Sequence, residues 1–119
     1  MQSGFVFDEN SNRESIRPAF ASPGSGGNNA FVAAVPNKKL RVHAYRLQGT
    51  GTVEVHFTDT DGNQISQKWT LQAREGCAIS SVFPGFEFES PAGKGIQVNL
   101  SGAVVVHVSI QYIHVEEGI

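Results

Sequence analysis

From Leu40 onward, apolar and polar residues alternate with a period of two. Val53, Val55 and Phe57 are interleaved with Glu54 and His56, Ile65, Trp69 and Leu71 share one parity, and Val104, Val106, Val108, Ile110 and Tyr112 run along the closing stretch. Successive side chains leave a strand on opposite faces, so this spacing predicts half-buried strands, and no segment carries the 3.6 period of an amphipathic helix. Residues 30–35 form a first predicted strand ending at the turn pair Pro36-Asn37, and residues 39–47 a second in which Leu40, Val42 and Ala44 point one way. Gly49-Thr50-Gly51 reverses the chain. Residues 52–58 and 64–71 then flank Asp59-Thr60-Asp61-Gly62-Asn63, where Asp61-Gly62 supplies the positive φ of a tight hairpin. Shorter strands follow at 78–83 and 86–89, a turn at 91–95, a strand through Ile96, Val98 and Leu100, and a long final strand at 103–114. Seven or eight strands on short turns predict an all-β fold, an antiparallel two-sheet sandwich of jelly-roll-like form, with a flattened barrel as the competing closure.

The leader has a different composition. Residues 21–29, Ala-Ser-Pro-Gly-Ser-Gly-Gly-Asn-Asn, are those of a linker or long surface loop. Before them Phe5, Val6, Phe7, Ile16 and Phe20 sit among Asp, Glu, Asn, Ser and Arg, too sparse for a core and too apolar for a purely solvated tail. The expected division is a flexible N-terminal arm and linker at 1–29 and a sandwich domain at 30–119. Phe5, Phe7, Ile16 and Phe20 are the candidate partner-binding residues of the arm. For residues 5–7 two readings stand equal: adhesion to a neighbouring surface, or an edge strand on the chain's own sheet.

A chain of 119 residues suits one domain, and eight Phe against one Met point to aromatic packing between the sheets. The formal charge of −2 and the lack of a long basic run argue against nucleic acid as a partner. With Cys77 as the one cysteine, no internal disulfide forms, and its bland role is a small half-buried strand residue. The first residues lack a basic region followed by an apolar one, and no stretch approaches the length of a membrane span. The expectation is therefore synthesis in a reducing cytoplasm, no export by that route and no membrane partner.

Candidate chemistry is sparse. Alternation puts His43, His56 and His107 on outer strand faces, where they could bind metal only if brought together. There is no His-x-His pair and no acidic residue at cupin-like spacing, so solvent-facing or subunit-interface histidines are expected instead of a metal-dependent enzyme, and no cofactor. No Gly-x-Ser-x-Gly elbow is present. Glu87 with Glu89, and Asp59 with Asp61, read as strand and turn chemistry rather than a glycosidase pair. Trp69 has core parity, and Lys38, Lys39, Arg41 and Arg46 make a local basic patch of the kind that solvates a face or protects an edge.

The stretch Ala33-Ala34-Val35-Pro36-Asn37-Lys38-Lys39-Leu40-Arg41-Val42-His43-Ala44-Tyr45, then Gly51-Thr52-Val53-Glu54-Val55-His56-Phe57, resembles small β-sandwich virion structural proteins of tailed bacteriophages and prophages. The run Phe88-Glu89-Ser90-Pro91-Ala92-Gly93-Lys94-Gly95-Ile96-Gln97-Val98-Asn99-Leu100-Ser101 and the valine-rich ending resemble the same group. The long leader and the Asp-rich hairpin depart from its pattern. The resemblance implies no enzyme but a capsid decoration, or cement, protein on the virion surface. Its partner would be the major capsid protein, and its own form a homo-oligomer, a trimer on a capsid symmetry axis. A glycan-binding or host-contact module, or a head-tail or tail component, is the alternative.

Overall fold

The structure, a computed structural model, describes residues 4–7, 13–81 and 85–116. Within them lie β1 (Gly4–Phe7), β2 (Arg13–Ala21), β3 (Gly27–Val32), β4 (Lys38–Gly49), β5 (Val53–Asp59), β6 (Trp69–Leu71), β7 (Gly76–Ser80), β8 (Phe88–Glu89), β9 (Ile96–Leu100) and β10 (Val106–Glu116), and no helix. The larger sheet runs β1-β2-β10-β4-β7, with β8 also on β4, and the smaller runs β3-β9-β5-β6. All the pairings are antiparallel, and the two sheets pack into a sandwich.

The turns form where the local chemistry requires them. Lys38 N–H donates to the Val35 carbonyl at 3.1 Å around Pro36 and Asn37, whose φ of 62° is the left-handed conformation that Asn tolerates. At the hairpin, Gly62 has φ 86° and its N–H donates to the Asp59 carbonyl at 3.0 Å, while Asp59 N–H donates to Asn63 at 2.9 Å. This is a three-residue loop, a type I turn followed by a left-handed glycine. The strand after it is shorter than expected. Phe57 N–H donates to the Ser66 hydroxyl at 2.8 Å, so a side chain takes a rung of the ladder, and regular pairing resumes only at Trp69.

The inter-sheet core is aromatic, as the phenylalanine content predicts. Phe57 on β5 stacks on Phe88 at 4.8 Å and meets the edge of Tyr45 at 5.5 Å, and Tyr45 also meets Phe88 and Trp69. Trp69 Nε1 donates to the Tyr45 hydroxyl at 2.8 Å, which satisfies both polar atoms between the sheets. Valine, leucine and isoleucine from β4, β5, β9 and β10 surround this cluster.

Strand β4 departs from simple alternation. Leu40 and Val42 are buried as expected, but Ala44 is not on their face, because Tyr45 and Leu47 are the next buried residues. The register against β10 passes from Val42↔Tyr112 to Ala44↔Gln111, leaving His43 as an extra residue. This β-bulge reverses the parity of everything that follows it on β4. On β10, Val106, Val108 and Ile110 face the core as predicted. Ile113 and Val115 are also buried, although they pair with Arg41 and Lys39 on the opposite face.

The expected division at residue 29 is corrected. β2 pairs with β10 from Arg17↔Tyr112 to Ala21↔Val108, and β3 begins at Gly27 within the expected linker. The closing strand pairs with β4 along one edge and with β2 along the other, so the leader supplies a strand of the sandwich. Of the two readings for residues 5–7, the edge strand is the one seen, with Phe5↔Ser15 and Phe7↔Arg13.

Replacing Phe57 with Ala removes the ring at the centre of this cluster and is expected to cost about 3–5 kcal/mol of unfolding free energy. Tyr45→Phe, which removes only the hydroxyl that Trp69 donates to, is expected to cost about 1 kcal/mol. Urea denaturation followed by tryptophan fluorescence measures both, and comparable losses for the two variants would contradict the packing described.

Candidate functional site

The outer face of the larger sheet is the most distinctive surface. Cross-strand partners share a face, and the rows Phe20↔Ser109↔Arg46↔Ala78 and Pro18↔Gln111↔Ala44↔Ser80 run across β2, β10, β4 and β7. Phe20 and Pro18 come from the leader, and Ala44, Arg46 and Gln48 are turned outward by the His43 bulge. Small side chains in the middle, Ala44, Ala78, Ser80 and Ser109, leave an open groove of about 380 Å3 between Phe20, Arg46 and Gln111. A second hollow of about 480 Å3 adjoins it, lined by Phe20, Ser22, Arg46, Gln48 and His107. Phe20 is 71% exposed. The exposed phenyl ring gives the groove paved with small residues one apolar wall.

The three candidate histidines are not brought together. His107 lies on this outer face, exposed, with Nδ1 2.9 Å from the Ser22 hydroxyl. His56 lies on the outer face of the smaller sheet, half-buried, opposite Asn99. His43 is corrected from an outer position to a buried one at 2% exposure, because the bulge tucks it in. Its Nδ1 lies 2.7 Å from the Gly85 carbonyl, which can only accept, so Nδ1 carries the proton. Among the described residues no three His, Cys, Asp or Glu side chains are grouped to hold a metal ion.

Of the expected arm residues, Ile16 and Phe20 alternate with Arg17 and Ala19 on β2, and Phe20 lines the groove. Phe5 and Phe7 are placed only by their backbone pairing, and their side chains lie outside what is described.

Other candidates are absorbed by the structure. Glu89 binds Arg41 at 2.9 Å and Lys39 at 3.6 Å, and Glu116 binds Lys38, so the basic patch is a set of cross-strand ion pairs with Arg46 set apart beside the groove. Arg41 also lies 4.3 Å from the centre of the Phe86 ring. Glu87 accepts from the Ser81 hydroxyl. Asp59 is buried and caps its turn, accepting from the N–H groups of Asp61 and Asn63 at 2.9 and 3.0 Å, while Asp61 pairs with Lys94 at 3.0 Å. Trp69 packs against the core, as its parity predicts. Burial raises the Cys77 thiol above its ordinary value, keeping it protonated and a weak nucleophile. The Ser22–His107 contact pairs a hydroxyl with an imidazole, which the sequence did not suggest, the two residues being far apart along the chain. The described residues lining its hollow are Phe20, Ala21, Ser22, Arg46, Gln48, His107, Val108 and Ser109, with no acidic side chain among them.

On the outer face of the smaller sheet, Asn99 donates to Asn28 at 2.7 Å, and the buried Thr58 hydroxyl lies 3.2 Å from Gln97 Oε1. These polar groups are engaged with one another, and Trp69 is turned away from them into the core.

Burial lowers the His43 pKa from its ordinary 6.5, and the charge of Arg41 adds to this against the opposing bond to Gly85. Burial likewise lowers His56, with Lys68 contributing, and His114, with Arg17 and Lys38 contributing. The folded state thus binds fewer protons than the unfolded chain just below pH 6.5. Stability is full above that value and is lost as the pH falls through the lowered folded pKa values. Thermal melts should be flat from pH 7 to 8 and decline below 6.5, and His43→Gln, whose amide can still donate to Gly85, should flatten that decline. No protein-family model and no curated protein sequence matches this chain.

Proposed function

We propose that this protein is a non-enzymatic virion structural protein, a capsid decoration protein that stabilises a phage head by bridging capsid subunits. The observation that carries this reading is the outer face of the larger sheet, where an exposed Phe20 and Arg46 flank a groove floored by Ala and Ser. An aromatic and an arginine around small residues are the side chains that anchor protein contacts. The strand orders 2-10-4-7 and 3-9-5-6 support it further, since we read this winding as a jelly roll, an architecture common in capsid proteins. Several weak contacts to neighbouring subunits add through effective concentration, which suits a small rigid module seated as a trimer on a symmetry axis.

With β2 inside the sheet, removing residues 1–29 would dismantle the sandwich, so a point substitution is the cleaner test. Phe20→Asp is expected to weaken co-sedimentation with empty capsids of the encoding phage or prophage by at least about tenfold, or about 1.4 kcal/mol, with an unchanged thermal melt. Undiminished binding by the variant, or no binding by the parent protein, overturns the reading.

A further inference from the structure

The geometry points to β7 as a homotypic docking edge that pairs antiparallel with β7 of a second copy about a twofold axis through Ala78. The evidence begins with the ladder between β4 and β7. Gly49 N–H donates to the Glu75 carbonyl and Ser81 N–H to the His43 carbonyl, and the register between them is unbroken from Gln48↔Gly76 to Ala44↔Ser80. In an antiparallel ladder, hydrogen-bonded pairs alternate with pairs whose groups point away. The odd-numbered residues of β7 therefore bond to β4, and the N–H and C=O groups of Gly76, Ala78 and Ser80 point outward. No described strand lies beyond them.

Exposed edges are usually blunted by charge, proline, a bulge or short length. Among the described edges, β1 spans four residues, β6 three and β8 two, and β3 is interrupted by a register shift between Ala30 and Val32. β7, with the sequence Gly-Cys-Ala-Ile-Ser, has five residues with no charge, no proline and no register shift. It is the edge left without such a device.

The strand is also complementary to itself. With Ala78 opposite Ala78 of the second copy, Gly76 falls opposite Ser80, so the outer face presents only small, neutral side chains and no like charges meet on the paired strands. On the inner face, Cys77 of one copy meets Ile79 of the other. Both are half-buried against the core in one copy, and the pairing removes more of their apolar surface from water. The outward groups exchange about six hydrogen bonds, and the larger sheets of both copies become continuous. Such a contact is isologous and gives even-numbered assemblies, dimers from single copies or hexamers from trimers. It does not depend on the capsid reading.

Edge pairing alone buries little area and belongs to the weak class of interfaces, below about 1,200 Å2, so the measurement is made on the full chain at about 1 mM. Sedimentation equilibrium should show an even-numbered association of the 12.8 kDa chain. Ala78→Pro removes an outward N–H without touching the β4 ladder, and Ala78→Lys places a charge on the edge without altering the backbone. Both should abolish the association while retaining a cooperative melt, and Ala78→Lys decides the matter if the proline variant does not fold. In a Cys77→Ser background, Ala78→Cys should form an intermolecular disulfide on mild oxidation at least tenfold more than the exposed control Thr70→Cys, because directly opposed residues lie within disulfide reach. No even-numbered association by the parent chain, association undiminished in folded Ala78→Lys, or equal cross-linking by the two cysteine variants overturns the proposal.

Discussion

The β-bulge at His43 is the constraint on which the arrangement depends. β4 is the hub of the larger sheet, paired with β10 along its length and with β7 and β8 on its other edge. A strand with unbroken alternation cannot turn both Val42 and Tyr45 into the inter-sheet core, since they lie three residues apart on opposite faces. One extra residue resolves this. Leu40 and Val42 enter the core before it, and Tyr45 and Leu47 enter after it. Tyr45 is then placed to meet Phe57, Phe88 and Trp69, contacts that tie the two sheets together through rings and one hydrogen bond. The bulged residue is itself buried, with its imidazole donating to Gly85.

The same bulge shapes the exterior. By sending Tyr45 inward it sends Ala44 and Arg46 outward, beside Ala78 and Ser80 of β7 and Ser109 and Gln111 of β10. Phe20 from β2 rises at one side of this floor. Core and groove are therefore two faces of one set of strands, and a change in register at His43 would alter both.

Polar chemistry in the described residues is mostly spent on architecture. Asp59 caps a turn, Glu89 holds Arg41 and Lys39, and Ser90 is buried, bridging the Leu40 N–H and the Lys94 carbonyl. A cation already paired with a carboxylate is poorly placed to take a phosphate, and a carboxylate bonded to backbone amides is poorly placed to move protons. On the outer face of the larger sheet, small side chains, Arg46 and the Phe20 ring line the open groove.

Strand class, the turns at Pro36-Asn37 and Asp61-Gly62, the inward faces of β5, β9 and most of β10, and an aromatic inter-sheet core were legible in the sequence, because period-two patterning and left-handed turn residues are local signals. The bulge was not, since His43 looks like any outward residue until β10 sets the register. For the same reason the outward turn of Ala44, the burial of Ile113 and Val115 and the Ser22–His107 contact escaped a reading of the chain. Glycine and asparagine in the leader resemble a linker, yet Gly27–Val32 pairs with β9 because a neighbouring strand supplies the hydrogen bonds that composition cannot reveal. The sequence alone determined which residues prefer to be buried and where the chain must turn. Tertiary structure decided which strands meet and in what register, because backbone hydrogen bonds between distant segments carry no signature in either segment by itself.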